Sequence, residues 1–154
     1  MHLEASLHTP ASPQQVLGFV DALDNYPQWM SLVHSAVRVA DATTPTWLVE
    51  LRAKVGPFAR SKRLRMERTT YDIVGVAAAS TGGVGRIVFE RRENDGRQHA
   101  AWRLEVIVTA AGDGATNLVM HLHYDGKLFV SVVEAILQQN IDAGRSKLGE
   151  LLAR

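Results

Sequence analysis

The sequence contains no cysteine, which excludes disulfide bonds, thiolate nucleophiles and cysteine-based metal sites. It has no apolar run near the roughly 18 residues that a membrane-spanning helix needs. The formal charge is only +1, so no bulk field favours nucleic acid or an anionic membrane. The opening MHLEASLHTP lacks a basic region followed by an apolar core, so we expect no secretion signal. These absences predict a cytoplasmic protein without a nucleic-acid or integral-membrane partner.

The composition is that of an ordinary globular protein. The chain has 154 residues, of which 46% are apolar and 21% charged. A chain of this length buries a core without covalent staples. No internal repeat or linker interrupts it, so we expect one domain over residues 1–154.

The last stretch, residues 130–152, has the clearest periodicity. Its apolar and small residues are spaced three or four apart, which is the pattern of one face of an α-helix. They are Val130, Val133, Leu137, Ile141, Gly144, Leu148 and Leu151. Polar residues occupy the opposite face. The spacing predicts a long amphipathic helix that needs an equally long apolar surface to cover it.

Near the N-terminus the pattern predicts one strand and two short helices. Residues 2–9 alternate between apolar and polar, and Pro10 ends this strand. Ser12 can cap a helix, Pro13 suits its first position, and Gln15 completes a capping box. The segment Asp24–Pro27 breaks that helix. We expect a second short helix from Pro27, over residues 27–33.

The middle of the chain consists of alternating apolar and polar residues separated by turns. Six further strands are predicted, at residues 35–41, 46–55, 60–71, 85–93, 99–109 and 117–125. Sequential strands joined by short turns form an antiparallel sheet with one apolar face. The expected fold is therefore α+β: a seven-stranded curved antiparallel sheet gripping the long C-terminal helix, with two short helices between strands one and two.

Residues 73–85 fit this pattern least well, because they are small, apolar and rich in glycine. They could extend the fourth and fifth strands into a long hairpin. They could equally form a mobile flap beside a cavity. The sequence leaves both alternatives open.

Several chemistries find little support in the residues. His121 and His123 share one strand face and could hold zinc with Glu105, but the alternation turns both histidines towards solvent. No G-x-S-x-G elbow exists for a hydrolase. The glycines at 82–85 are followed by no lysine of a phosphate loop. We therefore expect no metal and no cofactor.

A run of basic residues could indicate an anionic partner or membrane surface. It comprises Arg52, Lys54, Arg60, Lys62, Arg63 and Arg65. The favoured interpretation is the solvated outer face of two neighbouring strands, because the net charge is close to zero.

Several short motifs together resemble a known superfamily. The strand that leads into TPASPQQVLGFVD, the break Asn25-Tyr26-Pro27-Gln28-Trp29, the strands IVFER and HAAWRLEV, and the segment HYDGKLF before the last helix carry the resemblance. The chain resembles the START-like or SRPBCC superfamily, also called helix-grip, over residues 2–152. That superfamily includes polyketide cyclase/dehydrase-like, lipid-transfer and ubiquinone-binding members.

The resemblance implies an apolar ligand in a gap between the sheet and the long helix. The strand registers place large aromatic residues and methionines on the inner face, where they could line such a pocket. Arg68 and Arg91 fall in register with inward positions, although a strand bulge would turn them outward. The expected ligand-binding residues are Trp29, Met30, Trp47, Met66, Arg68, Phe89, Arg91, Trp102, Tyr124, Leu137 and Ile141.

Three functions remain open. The preferred one is binding or carrying a hydrophobic small molecule, such as a lipid, an isoprenoid quinone or a polyketide-like aromatic. The alternative is a polyketide cyclase or dehydratase that uses the same cavity, with His34, Tyr71, Arg91 and Tyr124 as the first residues to inspect. A third is an accessory protein that docks another protein through its outer sheet face. A homodimer is also left open.

Overall fold

The computed structural model describes residues 1–74, 81–126 and 130–154. The elements are, in chain order, β1 (His2–Thr9), α1 (Pro13–Val20), a 3₁₀ helix (Leu23–Gln28), β2 (Val33–Arg38), β3 (Thr46–Val55), β4 (Phe58–Ile73), β5 (Thr81–Arg91), β6 (Trp102–Gly112), β7 (Ala115–Tyr124) and α2 (Val130–Leu152). This order confirms the predicted α+β class. None of the described helices is long and apolar enough to cross a membrane.

The seven strands form one antiparallel sheet in the order β1-β7-β6-β5-β4-β3-β2. Apart from β1 and β7, all neighbours in the sheet follow one another in the chain. β1 pairs with β7 from His2 opposite His123 to Thr9 opposite Thr116. α1 packs against β6 and β7, and the 3₁₀ helix packs against β2 and β3. The two short helices therefore lie over opposite halves of the sheet.

The alternation of the sequence fixes which face of the sheet is buried. Trp47 lies opposite Met66, and Val49 lies opposite Leu64. All four side chains are buried, whereas Leu48, between two of them, is 55% exposed. Successive side chains of a strand point to opposite faces, so one face of the sheet is apolar and the other is polar.

The start of α1 forms as its sequence predicts. The Ser12 hydroxyl accepts a hydrogen bond from the Gln15 backbone N–H at 3.2 Å, and the Gln15 side-chain oxygen accepts one from the Ser12 N–H at 2.9 Å. Pro13 occupies the first turn, where its missing N–H costs nothing. This capping box holds the chain where it leaves β1.

The second short helix differs from the prediction. It is a 3₁₀ helix over Leu23–Gln28, so Pro27 lies near its end instead of opening it. Trp29 follows the helix, and β2 already begins at Val33. The reason is local: Met30 and Trp29 both donate their backbone N–H to the Tyr26 carbonyl, at 2.7 Å and 3.1 Å, and these bonds close the helix.

The bounds of most other strands also differ from the prediction, including β4, β5 and β7. The expected strands at 35–41 and 99–109 are β2 at Val33–Arg38 and β6 at Trp102–Gly112. β5 and β6 are joined by a long connection over residues 92–101, in which Gly96 adopts a positive φ of 72°. The Arg97 N–H donates to Asp95 Oδ1 at 3.0 Å, so the side chain of Asp95 shapes the turn.

The segment 73–85 pairs as a hairpin wherever it is described. Ile73 lies opposite Gly85, and the Val74 N–H donates to the Val84 carbonyl at 2.7 Å. Residues 75–80, on which the flap alternative depends, lie outside the described part of the chain. The described ends therefore favour the hairpin extension, and the flap stays a prediction.

α2 packs against β1, β3 and α1. Leu137, Ile141 and Leu148 of the predicted stripe are buried, whereas at the end of the helix Leu152 is buried and the predicted Leu151 is only partly so. Gly144 lies on this stripe where the helix approaches the chain after the 3₁₀ helix. A Cβ at this position would lie 2.6 Å from Met30 Cε and 3.3 Å from the Trp29 carbonyl oxygen. The absence of a side chain therefore lets α2 come close.

Two glycines of α2 offer a matched test of this close approach. Gly149→Ala should stabilise the fold by up to about 1 kcal/mol, because alanine favours helix and its methyl group meets only Leu7 Cδ1 at 3.5 Å. Gly144→Ala should raise the free energy of unfolding by clearly less, because the new methyl group forces the side chain of Met30 to move. Urea unfolding of both variants measures the difference. Equal stabilisation would contradict the contact between Gly144 and Met30.

Candidate functional site

A cavity of about 100 Å³ lies between the apolar face of the sheet and α2. Its wall combines side chains of β1 and β3–β4 with those of β6–β7, of the 3₁₀ helix region and of α2. Five of the residues predicted from the sequence line this inner cavity: Trp29, Met30, Met66, Trp102 and Ile141. The alternation of the strands and the periodicity of α2 bring them together.

A second, more open cavity of about 280 Å³ lies beside the first. This outer cavity is lined by β3, β4 and α2, and by the ends of β6 and β7. Trp102, Tyr124 and Leu137, all predicted site residues, belong to its wall. Trp102, Leu32 and Leu51 line both cavities. The two cavities are therefore neighbours that share part of one wall.

Two predicted aromatic residues, Trp47 and Phe89, line neither cavity. Both are fully buried, and their rings pack edge to face with centroids 5.7 Å apart. The Trp47 Nε1–H donates to Asp24 Oδ1 at 2.8 Å, so its polar atom is satisfied within the protein. Tyr26 packs edge to face on Phe89. Trp47 and Phe89 therefore form a solid part of the core, and only Tyr26 of these three rings reaches the inner cavity.

Arg68 also points inward but bonds to the protein. Its Nη1 donates to the Asp21 carbonyl at 2.8 Å, and its guanidinium lies 4.0 Å from the Tyr71 ring centroid. The bulge that could have turned it outward falls after it, between Arg68 and Thr70. Burial raises the pKa of Asp21, and the nearby charge of Arg68 opposes that rise. Arg68 therefore ties α1 to the sheet and lines neither cavity.

Arg91 is the second inward arginine, and its side chain is only 8% exposed. Its Nε donates to Glu93 Oε1 at 2.9 Å, and its Nη1 donates to the Ala100 carbonyl at 3.3 Å. Burial alone would raise the pKa of Glu93, but the hydrogen bonds from Arg91 and from the Arg65 N–H outweigh it and lower that pKa below 4.5. Glu93 thus compensates the charge of Arg91, which lines neither cavity.

The Arg91–Glu93 pair predicts a pH dependence of stability. Glu93 binds a proton less readily in the folded state than in the unfolded state. Its contribution to the free energy of unfolding is therefore present above pH 4.5 and is lost as the pH falls below that value. Glu93→Gln should lower the free energy of unfolding at neutral pH by about 1 kcal/mol and flatten its decline in acid. Denaturant unfolding as a function of pH measures both effects.

Glu50→Gln is the matched control for that variant. Glu50 also accepts from an arginine two residues away, but the side chain of Arg52 is 46% exposed. An exposed pair contributes little, so this variant should leave both stability and acid dependence nearly unchanged. Identical behaviour of the two variants would contradict the account of Arg91.

The prediction that the whole basic run lies on the outer face of the sheet is wrong for two of its residues. Lys62 lies opposite Leu51 and two residues before Leu64, so it points to the inner face, and Arg60, opposite Ala53, has the same parity. Both residues line the outer cavity. The signal was present in the sequence, because the inward positions Leu64 and Met66 fix the parity of the whole strand.

The four residues named for an enzymatic function are dispersed. His34 and Tyr71 are exposed, and Tyr71 packs against Arg68. Arg91 is engaged with Glu93. Only Tyr124 lines one of the cavities. The structure therefore assembles no acid–base pair from this set.

One set of described residues could hold a metal ion, and it lies on the polar face of the sheet. His2 and Glu4 of β1 and His121 of β7 each offer one ligand atom, and these atoms lie within 4.8 Å of one another. The Nδ1 of His121 is buried without a hydrogen bond, 3.4 Å from Glu4 Oε2. The sequence alone did not reveal this set, because it depends on the pairing of β1 with β7.

The metal-binding residues considered from the sequence do not come together as a site in the described part of the chain. It combined His121 with His123 and Glu105, but Glu105 accepts hydrogen bonds from Arg86 and Arg103. His123 is exposed, as expected. The expectation that the protein uses no metal and no cofactor stays a prediction.

Comparison with known proteins gives both a family and a fold. The family model described as "Polyketide cyclase / dehydrase and lipid transport" matches residues 1–153. No curated protein sequence matches the chain. Among solved structures, a START superfamily protein from Mycobacterium smegmatis is 14% identical with a TM-score of 0.69, over 99% of this chain and 97% of that one.

Two further solved structures resemble this chain at similarly low sequence identity. A protein from Thermus thermophilus is 17% identical with a TM-score of 0.67, over 99% of this chain and 97% of its own. The Zhui aromatase/cyclase from Streptomyces is 15% identical with a TM-score of 0.66, over 100% and 94%. At these identities the likeness establishes the helix-grip fold and leaves the ligand and any reaction open.

Proposed function

Because the chain belongs to the polyketide cyclase/dehydrase and lipid transport family, we propose that it binds or carries a hydrophobic small molecule between the sheet and α2. The candidates are a lipid, an isoprenoid quinone and a polyketide-like aromatic. The inner cavity would hold the apolar part of this ligand. Trp29, Met30, Met66, Trp102 and Ile141 would contact it.

The observation that carries this proposal is the chemistry of the inner wall. Its residues are almost all aliphatic, aromatic or methionine, and none is an aspartate, a glutamate or a histidine. The one charged residue, Arg145, is exposed. Such a wall gains free energy by removing apolar surface from water. Its methionines can adapt to the shape of the ligand.

The polar atoms of the aromatic residues in that wall are mostly occupied. The Tyr26 hydroxyl donates to the Val20 carbonyl at 2.9 Å, and the Trp29 Nε1–H donates to the Phe19 carbonyl at 3.1 Å. Neither group is therefore free to orient a substrate. General acid–base catalysis needs a group within hydrogen-bond reach of the reacting atoms. This supports binding over catalysis as the primary function.

The volumes bear on the size of the ligand. An apolar cavity of about 150 Å³ accommodates one benzene molecule, so the inner cavity of about 100 Å³ suits a short apolar chain or part of a ring. Drug-sized ligands need at least about 300 Å³. A larger ligand would extend into the outer cavity of about 280 Å³. We therefore infer a compact ligand in preference to a long polyisoprenoid.

The cyclase or dehydratase function is the second candidate. The family description names such enzymes beside lipid transport, and Tyr124 brings a hydroxyl to the outer cavity. Any chemistry would then take place at the outer cavity, with the inner one holding the substrate in place. The expected cytoplasmic location, the absence of a nucleic-acid partner and the homodimer remain predictions.

Filling the inner cavity tests the proposal. Leu122 of β7 lines this cavity, so Leu122→Trp should weaken binding of naphthylmethanol, a neutral fluorescent probe, at least about tenfold, or about 1.4 kcal/mol. His123→Trp places the same side chain on the exposed face and should leave the affinity unchanged. Fluorescence titration measures both, and circular dichroism checks that each variant is folded.

Two results would count against this function. One is a wild-type protein that neither binds the probe nor releases an apolar compound on solvent extraction. The other is a folded Leu122→Trp variant that binds the probe as tightly as the wild type does.

A further inference from the structure

Lys62 is one of three basic residues on the inner face of β4, together with Arg60 and Arg68. It lies opposite Leu51 and precedes the buried Leu64 by two positions. Its Nζ is 5.4 Å from the ring centroid of Tyr124 and 5.9 Å from that of Trp102. All three side chains line the outer cavity. The ammonium group therefore faces the space beside the inner cavity.

No described residue supplies a counter-charge to this cation. None of the salt bridges among the described residues involves Lys62, and the charged group that most affects it is another cation, Arg91. The charge of Arg91 is already balanced by Glu93. The undescribed segments 75–80 and 127–129 contain no acidic residue, so they hold no hidden partner. Lys62 is thus a half-buried positive charge without an anion.

The described neighbours of Lys62 offer hydrogen-bond donors but no negatively charged acceptor. The Trp102 Nε1–H is buried and donates to no acceptor among the described groups. Arg60 lines the same cavity. Burial lowers the pKa of Lys62, and the charge of Arg91 lowers it further. A charge taken out of water is costly unless it is paired, so this arrangement costs stability in the unliganded protein.

We propose that the ligand is an apolar carboxylate whose anionic oxygens bind the Lys62 ammonium group in the outer cavity while its hydrocarbon part enters the inner cavity. Lys62 has no acidic partner among the described residues, and a carboxylate supplies the missing negative charge. The Trp102 and Tyr124 rings, whose centroids are 4.5 Å apart, pack against each other beside the proposed position of the head group. This inference rests on the proposed function and adds the chemical class of the ligand.

The competing explanation is that Lys62 is a packing residue, held over the two rings by cation–π attraction. The two explanations differ in what happens when the charge is removed. A packing residue stabilises the unliganded fold, so its loss lowers the melting temperature. A ligand-binding cation destabilises the unliganded fold, so Lys62→Met, which keeps an unbranched apolar stem, should raise that temperature.

The experiment compares naphthoate with naphthylmethanol, which share a ring system and differ in charge. Isothermal titration with the wild-type protein should show tighter binding of naphthoate. Lys62→Met should weaken naphthoate binding by about tenfold or more, as expected for a hydrogen bond to a charged group, and leave naphthylmethanol binding unchanged. Lys62→Arg should retain most of the preference for naphthoate.

Arg63→Met is the matched control. Arg63 is the next residue, is exposed, and lies opposite Glu50 on the polar face of the sheet. This variant removes the same charge without touching either cavity, so it should leave the affinity for both probes within about twofold, a change below 0.5 kcal/mol. An equal loss of naphthoate affinity in Arg63→Met and Lys62→Met would show long-range attraction instead of a site, and would overturn the proposal.

The remaining outcomes distinguish a failure of the carboxylate site from a failure of the proposed function. If the wild-type protein binds naphthylmethanol as tightly as naphthoate, or if Lys62→Met weakens both equally and lowers the melting temperature, the carboxylate site is wrong while apolar binding stands. If the wild-type protein binds neither probe, the proposed function fails and this inference fails with it.

Discussion

The structure depends on a mismatch of width between one sheet and the helix that covers it. Seven strands spaced about 4.8 Å apart make a surface about 30 Å wide, whereas a helix with its side chains is only about 10–12 Å across. The inner face is apolar along its strands and must be removed from water. α2 cannot cover it alone, so α1 and the 3₁₀ helix cover part of the remaining surface. The cavities lie where that closure is incomplete.

The interior is filled unequally for the same reason. In one region the rings of Trp47 and Phe89 pack edge to face, and neither ring lines a cavity. In another, leucines and methionines line a space of about 100 Å³. Gly144 determines how closely α2 approaches the chain at Met30.

Much of the fold follows from the sequence because its periods are regular. The spacing of three and four residues located α2 at 130–152, and the alternation of the strands identified the buried face. Local hydrogen bonding was less predictable. The 3₁₀ helix at Leu23–Gln28 depends on bonds that converge on the Tyr26 carbonyl, and nothing in the order of the residues separates it from an α-helix starting at Pro27.

The candidate site was harder to predict because tertiary pairing decides it. Arg91 had the right parity, but its partner Glu93 lies beyond the end of the strand, where no periodicity applies. His2 and His121 meet only because β1 pairs with β7. The inward position of Lys62 is predictable from the sequence, because Lys62 lies two residues before the inward Leu64. Its place in a run of basic residues instead suggested the solvated face. Parity was the better guide there.

The central claim is that the apolar face is left partly hollow, and xenon tests it most directly. Xenon enters dry apolar cavities in crystals under pressure. A crystal of the protein exposed to xenon should show the gas among Met66, Leu118 and Leu148, in the inner cavity between the sheet and α2. A well-ordered crystal with no xenon there, and with those side chains packed together to fill the space, would contradict the account.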